Sequence, residues 1–381
     1  MILVTGGAGF IGQHLCRRLC ADGGKVRIID SFTSQVHGER GEIAPDLVNA
    51  VELLRADVRE KRVLTEALRG VNTVVHLAAE TGTGQSMYEV ERYFAVNVLG
   101  TAVLLDALQG LGAQSRVERI VLASSRAVYG EGAYRCAEHG IVYPEGRAID
   151  RLEGGDFEPL CPKCALPVAC APTPESAPLH PTSVYGLTKQ VQEQAIFLYA
   201  RTSGISAVAL RYQNVFGPGQ SLKNPYTGIL AVFSTLARAG RPIEVYEDGQ
   251  ESRDFVYIDD VIDATVKAVR LAAPFVGPLN VGSGVPTSVL AVARAVNGFF
   301  GGRSDIRVSG AYRLGDVRHN QACSKQARKV LGFSAVVDFL AGLRTFLEWA
   351  RVEGGGDADG YDRSVSELVS KGLMGKAKSR R

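Results

Sequence analysis

Short β-branched runs alternate with helical stretches through the first 130 residues. The apolar runs at 1–4, 25–29, 51–55, 73–76 and 119–123 have strand length. Between them, residues 11–21, 63–68 and 92–111 carry apolar side chains at helical spacing. That alternation predicts βαβ units, with a parallel sheet covered by helices on both faces. Residues 206–211 add a further buried strand, and a long helix is predicted from Thr182, just past Pro181, to Ser203. Residues 131–178 break the pattern. They hold four of the seven cysteines, many prolines and little periodicity, so they are expected to be an insertion. From Phe216 onward Gly-Pro turns dominate, which predicts a smaller mixed α/β lobe over 216–353. Gly354, Gly355 and Gly356 then open a polar tail, 354–381, expected to be flexible.

Composition narrows this picture only a little. A chain of 381 residues with 46% hydrophobic and 22% charged positions builds one large or two closely packed domains with a sizeable core. The net charge of +3 makes no electrostatic case for nucleic acid. Part of it lies in residues 376–381, a frayed basic end. No stretch is expected to reach the ~18 apolar residues of a membrane span. The first apolar run passes straight into a glycine turn, unlike a signal peptide. A cytoplasmic protein with reduced cysteines is expected.

Chemistry enters at that first turn. Gly7-Ala8-Gly9-Phe10-Ile11-Gly12 fits G-x-G-x-x-G, and from Gly6 it also fits G-x-x-G-x-x-G. A strand precedes it and a helix follows, so the glycines permit the tight turn, close backbone approach to a pyrophosphate and helix–strand packing. Asp30 ends the next strand, 18 residues beyond Gly12, where an acid suits a ribose 2′-hydroxyl and repels a 2′-phosphate. With Ser31, not arginine, after it, NAD is expected over NADP. Residues 1–215 are therefore expected to form an NAD-binding domain of Rossmann type, with 216–353 as the substrate lobe. Asp57 and Val58 stand after the third strand, where the adenine could be met. Leu77, Ala78 and Ala79 supply small residues where the cofactor would cross the sheet edge. Either group also suits plain packing.

Tyr185 and Lys189 sit at i and i+4 on the long helix, hence on one face. A neighbouring ammonium, with the positive nicotinamide, is expected to lower the phenol's pKa from its free value near ~10. Ser125 follows the fifth strand at the carboxyl edge of the sheet, placed to hold the hydroxyl that Tyr185 deprotonates.

These residues, together with His76-Leu-Ala-Ala79, Asn97-Val-Leu-Gly-Thr101, Arg211-Tyr-Gln-Asn-Val-Phe-Gly-Pro218 and Arg253-Asp-Phe-Val-Tyr-Ile-Asp-Asp260, resemble the extended short-chain dehydrogenase/reductases over roughly residues 1–350. Within that group the likeness is to nucleotide-sugar epimerases and dehydratases. The resemblance implies that Ser125, Tyr185 and Lys189 are the catalytic triad. It also places Asn97 and Tyr212 beside the cofactor, Asn214 beside the substrate, and Arg253 and Arg318 at its diphosphate. The sugar dehydratases carry an acidic pair after the catalytic serine or threonine; here those positions are Arg126 and Ala127, so the resemblance implies 4-epimerisation through a 4-keto sugar. Ser34-Gln-Val-His-Gly38 and Gly84-Gln-Ser-Met-Tyr88 resemble segments of dTDP-L-rhamnose 4-epimerases, which make dTDP-6-deoxy-L-talose. A UDP-hexose or UDP-uronate 4-epimerase, or a nucleotide-sugar dehydratase or reductase on the same scaffold, remains the alternative. The family further implies a homodimer, paired through the helices around 97–111 and 182–199.

In the insertion, Cys136-x-x-His139 and Cys161-Pro-Lys-Cys164 form two ligand pairs 21 residues apart, near zinc-ribbon spacing. A structural zinc or free surface thiols both fit, with Cys170 as a substitute ligand. Cys16 and Cys20 suit a helix core. His76 is expected to be a satisfied core histidine, not a base.

Overall fold

A computed structural model describes residues 1–38, 41–224, 226, 228–353 and 356–378. Its centre is a seven-stranded sheet, with every neighbouring pair parallel. In chain order the strands are β1 (Ile2–Thr5), β2 (Val26–Asp30), β3 (Val51–Arg55), β4 (Thr73–His76), β5 (Arg119–Ser125), β6 (Ser206–Tyr212) and β7 (Val276–Val281). Across the sheet the order is β7-β6-β5-β4-β1-β2-β3. The order reverses between β1 and β4, which opens a crevice at their carboxyl ends.

The pleat explains why these runs read as unbroken apolar strands. Successive side chains point to opposite faces. Val4, Ile28, Val75, Val121 and Val208 enter one core, and Leu3, Ile29, Val74, Ile120 and Ala207 enter the other. Helix α1 (Phe10–Ala21) covers the first face through Leu15, Cys16 and Leu19, joined by α4 (Ile258–Val269). Helices α2 (Gly100–Leu111) and α3 (Val184–Ser203) cover the second through Leu104, Leu108 and Ile196. Cys16 is buried in the first core, as expected.

Three expectations are corrected. First, residues 216–353 are not a separate lobe, because β7 and α4 complete the main sheet and its cover. Pro278 hid β7 from sequence reading. Only β6 pairs with β7, and an edge strand tolerates the missing N–H. The remainder of 216–353 builds the smaller mixed lobe, including a three-stranded sheet of Asn214–Phe216, Ser252–Tyr257 and Pro286–Ser288.

Second, within the tail, residues 356–378 are ordered; 354, 355 and 379–381 lie outside the described residues. Ala358–Ser370 is a helix whose Tyr361, Ser364 and Leu368 share one inward face. Met374–Lys376 pairs antiparallel with Ala311–Arg313. Glu367 accepts hydrogen bonds from Tyr88 (2.8 Å) and Tyr226 (2.7 Å). The narrow apolar stripe was concealed by polar composition.

Third, the continuous helix Val90–Gln114 is long and apolar enough, by length and composition, to span a bilayer. Its inner side packs on the sheet and α3. Its outer side exposes Val90, Phe94 and Leu99, and α3 exposes Leu187 and Leu198.

Candidate functional site

The cofactor cradle follows from steric facts at the glycines. Gly6 has φ +69°, and a Cβ there would stand 2.7 Å from the Ala78 nitrogen. A Cβ on Gly12 would stand 2.5 Å from the Gly6 oxygen, so only glycine lets α1 begin this close to β1. Gly9 meets nothing within 4 Å except the Gly6 oxygen, at 3.3 Å, leaving the helix mouth clear. The first-turn N–H groups of Phe10, Ile11 and Gly12 lack intrahelical acceptors and face that mouth. Asp30 ends β2 beneath the turn, accepting from the Ala8 N–H (3.0 Å) and the Phe32 N–H (2.9 Å). Leu77, Ala78 and Ala79 line the exit of β4, where the Ala78 N–H reaches the Thr5 hydroxyl. A pyrophosphate and an unphosphorylated ribose fit this arrangement.

The candidate catalytic side chains Ser125, Tyr185 and Lys189 converge at one place. Ser125 is the last residue of β5 and caps the tight turn Arg126–Tyr129, its hydroxyl accepting from the Ala127 N–H at 3.1 Å. Ser183 caps α3 by accepting from the Gly186 N–H. A Cβ on Gly186 would lie 2.5 Å from the Ala127 carbonyl oxygen, so the start of α3 presses directly on the serine turn. That contact brings the Tyr185 phenol into hydrogen bonding with Ser125. Lys189 lies one turn on, its Nζ 5.9 Å from the Tyr185 ring centre and donating to the Ala123 carbonyl at 2.9 Å.

The electrostatics depart from expectation. Burial pushes the Tyr185 phenol above its ordinary pKa, opposed by the Ser125 hydrogen bond and the Arg126 charge. Burial also pushes Lys189 down to about 7, with Glu193 opposing. The charge that opposes the burial of Tyr185 is that of Arg126. Burial and the like charge of Arg253 push that guanidinium down to about 10. Neither Arg126 nor Arg253 forms an ion pair with a carboxylate among the described residues. Two guanidinium groups thus stand ready for an anion.

Behind the site, Glu193 grips Arg211 and accepts from Ser124, while Arg211 also donates to the Tyr129 hydroxyl (2.8 Å). His76 is fully buried and pushed down to about 3 by that burial, hydrogen-bonded to Thr5 and Thr101. It is the neutral core histidine expected.

Other expected residues are distributed unevenly. Asn214 sits at the lobe edge with its Oδ1 buried and unpartnered among the described residues. Arg253 donates to the Ser252 and Arg318 carbonyls. Asn97 is buried in a π-helical turn, Phe94–Leu99. It bridges Glu80, beyond β4, to Thr188 of α3, so it braces the cofactor side without opening onto it. Tyr212 pairs in register with Ser125, but its ring enters the core and its hydroxyl meets Thr265 at 2.8 Å. Asp57 is held by Arg59, and Val58 packs in the core.

Arg318 requires a correction. It is fully buried, and Glu158, Asp248 and Glu247 take up all five of its N–H groups at 2.6–2.8 Å. No donor is left for a diphosphate. Sequence reasoning missed Arg313, which lines a small pocket with Thr83, Gly84 and Ser183, pairs with Asp316 and lies 5.3 Å from the Tyr246 ring centre. It also missed that Arg126 faces Tyr185, although its place directly after Ser125 carried that signal.

In the insertion, the ligand atoms of Cys136, His139, Cys161 and Cys164 all lie within 4.8 Å of one another. Cys170 packs against the same small core without joining this ligand group, its thiol pushed up to about 11 by burial.

A dinucleotide cradle facing a Ser–Tyr–Lys constellation defines a short-chain dehydrogenase/reductase-type NAD enzyme. Residues 2–144 and 164–282 match the NAD dependent epimerase/dehydratase family, and the chain belongs to that family. The gap in the match falls inside the insertion. The chain is 40% identical to the dTDP-L-rhamnose 4-epimerase of Burkholderia thailandensis, covering 92% of this chain and 95% of that one. It is similar to the UDP-glucose 4-epimerase of Thermotoga maritima solved with UDP-glucose (26% identity, TM-score 0.74, 92% and 99% covered). It is also similar to MoeE5 solved with UDP-glucuronic acid and NAD (29% identity, TM-score 0.72, 93% and 99% covered). The protein is an NAD-dependent isomerase of the nucleotide-sugar epimerase type.

Proposed function

We propose that this enzyme is a 4-epimerase interconverting dTDP-L-rhamnose and dTDP-6-deoxy-L-talose. The observation that carries the reading is the 40% identity, across nearly the whole of both chains, to a dTDP-L-rhamnose 4-epimerase. Ser125 holds the C4 hydroxyl and Tyr185 takes its proton. The Ser125 hydrogen bond and the Arg126 charge favour the phenolate against burial, which raises the fraction of Tyr185 able to act as base. NAD, when bound on Gly6, Gly9, Gly12 and Asp30, supplies reversible oxidation and reduction at C4. Arg253 and Arg313 grip the diphosphate, and Asn214 accepts a hydrogen bond from the substrate. Arg126 and Ala127 provide no carboxylic acid, so elimination at C6 lacks its proton donor.

A second reading, a UDP-uronate 4-epimerase, is favoured by one feature, the guanidinium of Arg126 beside Tyr185, which has no ion pair among the described residues and suits a sugar carboxylate. Incubation with dTDP-L-rhamnose, UDP-glucuronate and UDP-glucose, with C4 epimers resolved by NMR, separates the readings. Talose formation supports the first; conversion of UDP-glucuronate alone overturns it.

The exposed apolar residues of Val90–Gln114 and α3 support a homodimer joined through these helices, which sedimentation tests. The Cys136, His139, Cys161 and Cys164 cluster supports a structural zinc with no open catalytic position. Cytoplasmic reducing conditions would keep those thiols free to bind it.

A further inference from the structure

The insertion of residues 131–178 is poorly equipped to hold itself together. Its sheet is three short strands, Gly140–Val142, Tyr134–Cys136 and Ala169–Cys170. Its own core is Tyr134, Val142 and Val168 around the cysteines. Yet it carries four gathered ligand atoms, from Cys136, His139, Cys161 and Cys164, all within 4.8 Å of one another. Cys136 Sγ lies 3.7 Å from His139 Nδ1 and from Cys164 Sγ, and Cys161 Sγ lies 3.7 Å from His139 Nδ1. A zinc tetrahedron with ~2.3 Å metal–sulfur and ~2.0 Å metal–nitrogen bonds has edges of about 3.8 Å between sulfurs and about 3.5 Å from sulfur to nitrogen. Around Cys161 and Cys164 the chain forms a knuckle. Ala165 takes φ +58° and the Ala165 N–H returns to the Cys161 carbonyl. The N–H groups of Lys163 and Cys164 point at Cys161 sulfur, and that of Leu166 at Cys164 sulfur.

The other end of the insertion is locked to the substrate side of the crevice. Tyr134 donates to Glu131, and Glu131 accepts the Arg318 backbone N–H at 3.0 Å. Arg147, nearly fully buried, pairs with Glu131 and Glu247 and donates to the Asp316 carbonyl at 2.9 Å. Glu158 holds the Arg318 guanidinium and His319. The Arg318 carbonyl in turn receives Arg253. Residues 313–319 include Gly315, whose carbonyl accepts from the hydroxyl of Thr182, three residues before Tyr185. A Cβ on Gly315 would lie 2.5 Å from the Thr182 oxygen.

We propose that the insertion is a zinc-stapled brace. The metal holds its sheet, and Glu131, Arg147 and Glu158 fix residues 313–319 and Arg253 in the wall that receives the nucleotide diphosphate. This rests on the zinc reading and on the diphosphate placement above. Glu131, Arg147 and Glu158 are positioning residues, acting through Arg318 and Asp316.

The test uses the full-length enzyme with its bound NAD. Metal analysis of protein purified without chelator is expected to give one zinc per chain. Protein grown on cobalt is expected to show tetrahedral thiolate–cobalt absorption that Cys161→Ser removes. Calorimetry with dTDP and UDP as probes is expected to show affinity falling about tenfold after zinc is stripped, with NAD content unchanged. Glu158→Gln, at a half-exposed position that leaves the knuckle intact, is expected to keep its zinc and show the same loss. Metal-free purified protein that takes up neither zinc nor cobalt overturns the zinc reading. Full zinc occupancy in the enzyme as purified, with nucleotide affinity altered neither by stripping nor by Glu158→Gln, overturns the brace alone. Failure of both nucleotides to bind the intact enzyme overturns the diphosphate placement.

Discussion

Glu251 offers a sharp test of how the charged wall behind the substrate side is balanced. Its side chain is 8% exposed, its Oε2 has no hydrogen bond among the described residues, and Arg318 stands 3.8 Å away, already held by three other carboxylates. Burial pushes the carboxyl up from 4.5 to about 7, with Glu247 adding and Arg253 and Arg318 opposing. Between those two pH values the folded chain therefore holds a proton that the unfolded chain has released. Stability must fall as pH rises through that window, since the unfolded state binds fewer protons there. A shift of this size corresponds to about 3 kcal/mol at most, from ~1.4 kcal/mol per pKa unit. Glu251→Gln keeps the shape and removes the titration. At pH 5 the variant should match the parent within about 1 kcal/mol, whereas at pH 8 it should be more stable by about 2–3 kcal/mol. Urea unfolding at both pH values, with NAD saturating, measures this. An equal stability difference at pH 5 and pH 8 would refute the argument, because it would mean that Glu251 carries the same charge in the folded and unfolded chain.

Three further outcomes follow from the site. Tyr185→Phe should lower turnover by about 10³-fold or more while NAD stays bound, read from epimer formation and from nucleotide released on denaturation. Gly12→Ala places a Cβ 2.5 Å from the Gly6 oxygen and should yield folded protein with little NAD, checked by absorbance of the purified chain. Arg126→Met removes the cation that lowers the Tyr185 phenol, so the acid limb of the kcat–pH profile should move upward by about one unit. A profile that stays in place would remove Arg126 from the proton chemistry.

Much of the site was legible because its parts are local. The glycine turn, Asp30 eighteen residues on, and Tyr185 with Lys189 at one helical turn are short-range patterns whose geometry is set by strand and helix periods. Ser125 was recognisable from its place at the end of an apolar run, and the four zinc-ligand candidates from their spacing. What escaped were residues whose meaning depends on distant neighbours. Arg318 had the sequence credentials of a phosphate ligand, yet Glu158, Glu247 and Asp248 surround it in space. Tyr212 aligned with Ser125 in register, and the pleat turned its ring inward. The tail helix was hidden because three inward residues among polar ones make a stripe too narrow to stand out.

Sequence alone determined the parallel sheet and the glycine turn, and it marked Ser125, Tyr185 and Lys189 as candidates, because each rests on residues within one or two elements. Only the tertiary structure decided the environment of the charges. It set Arg126 before the phenol, buried Lys189 enough to weaken its charge, and removed Arg318 from the substrate in favour of a lattice tied to the insertion. Desolvation and long-range pairing depend on which surfaces meet, and chain order does not encode that locally.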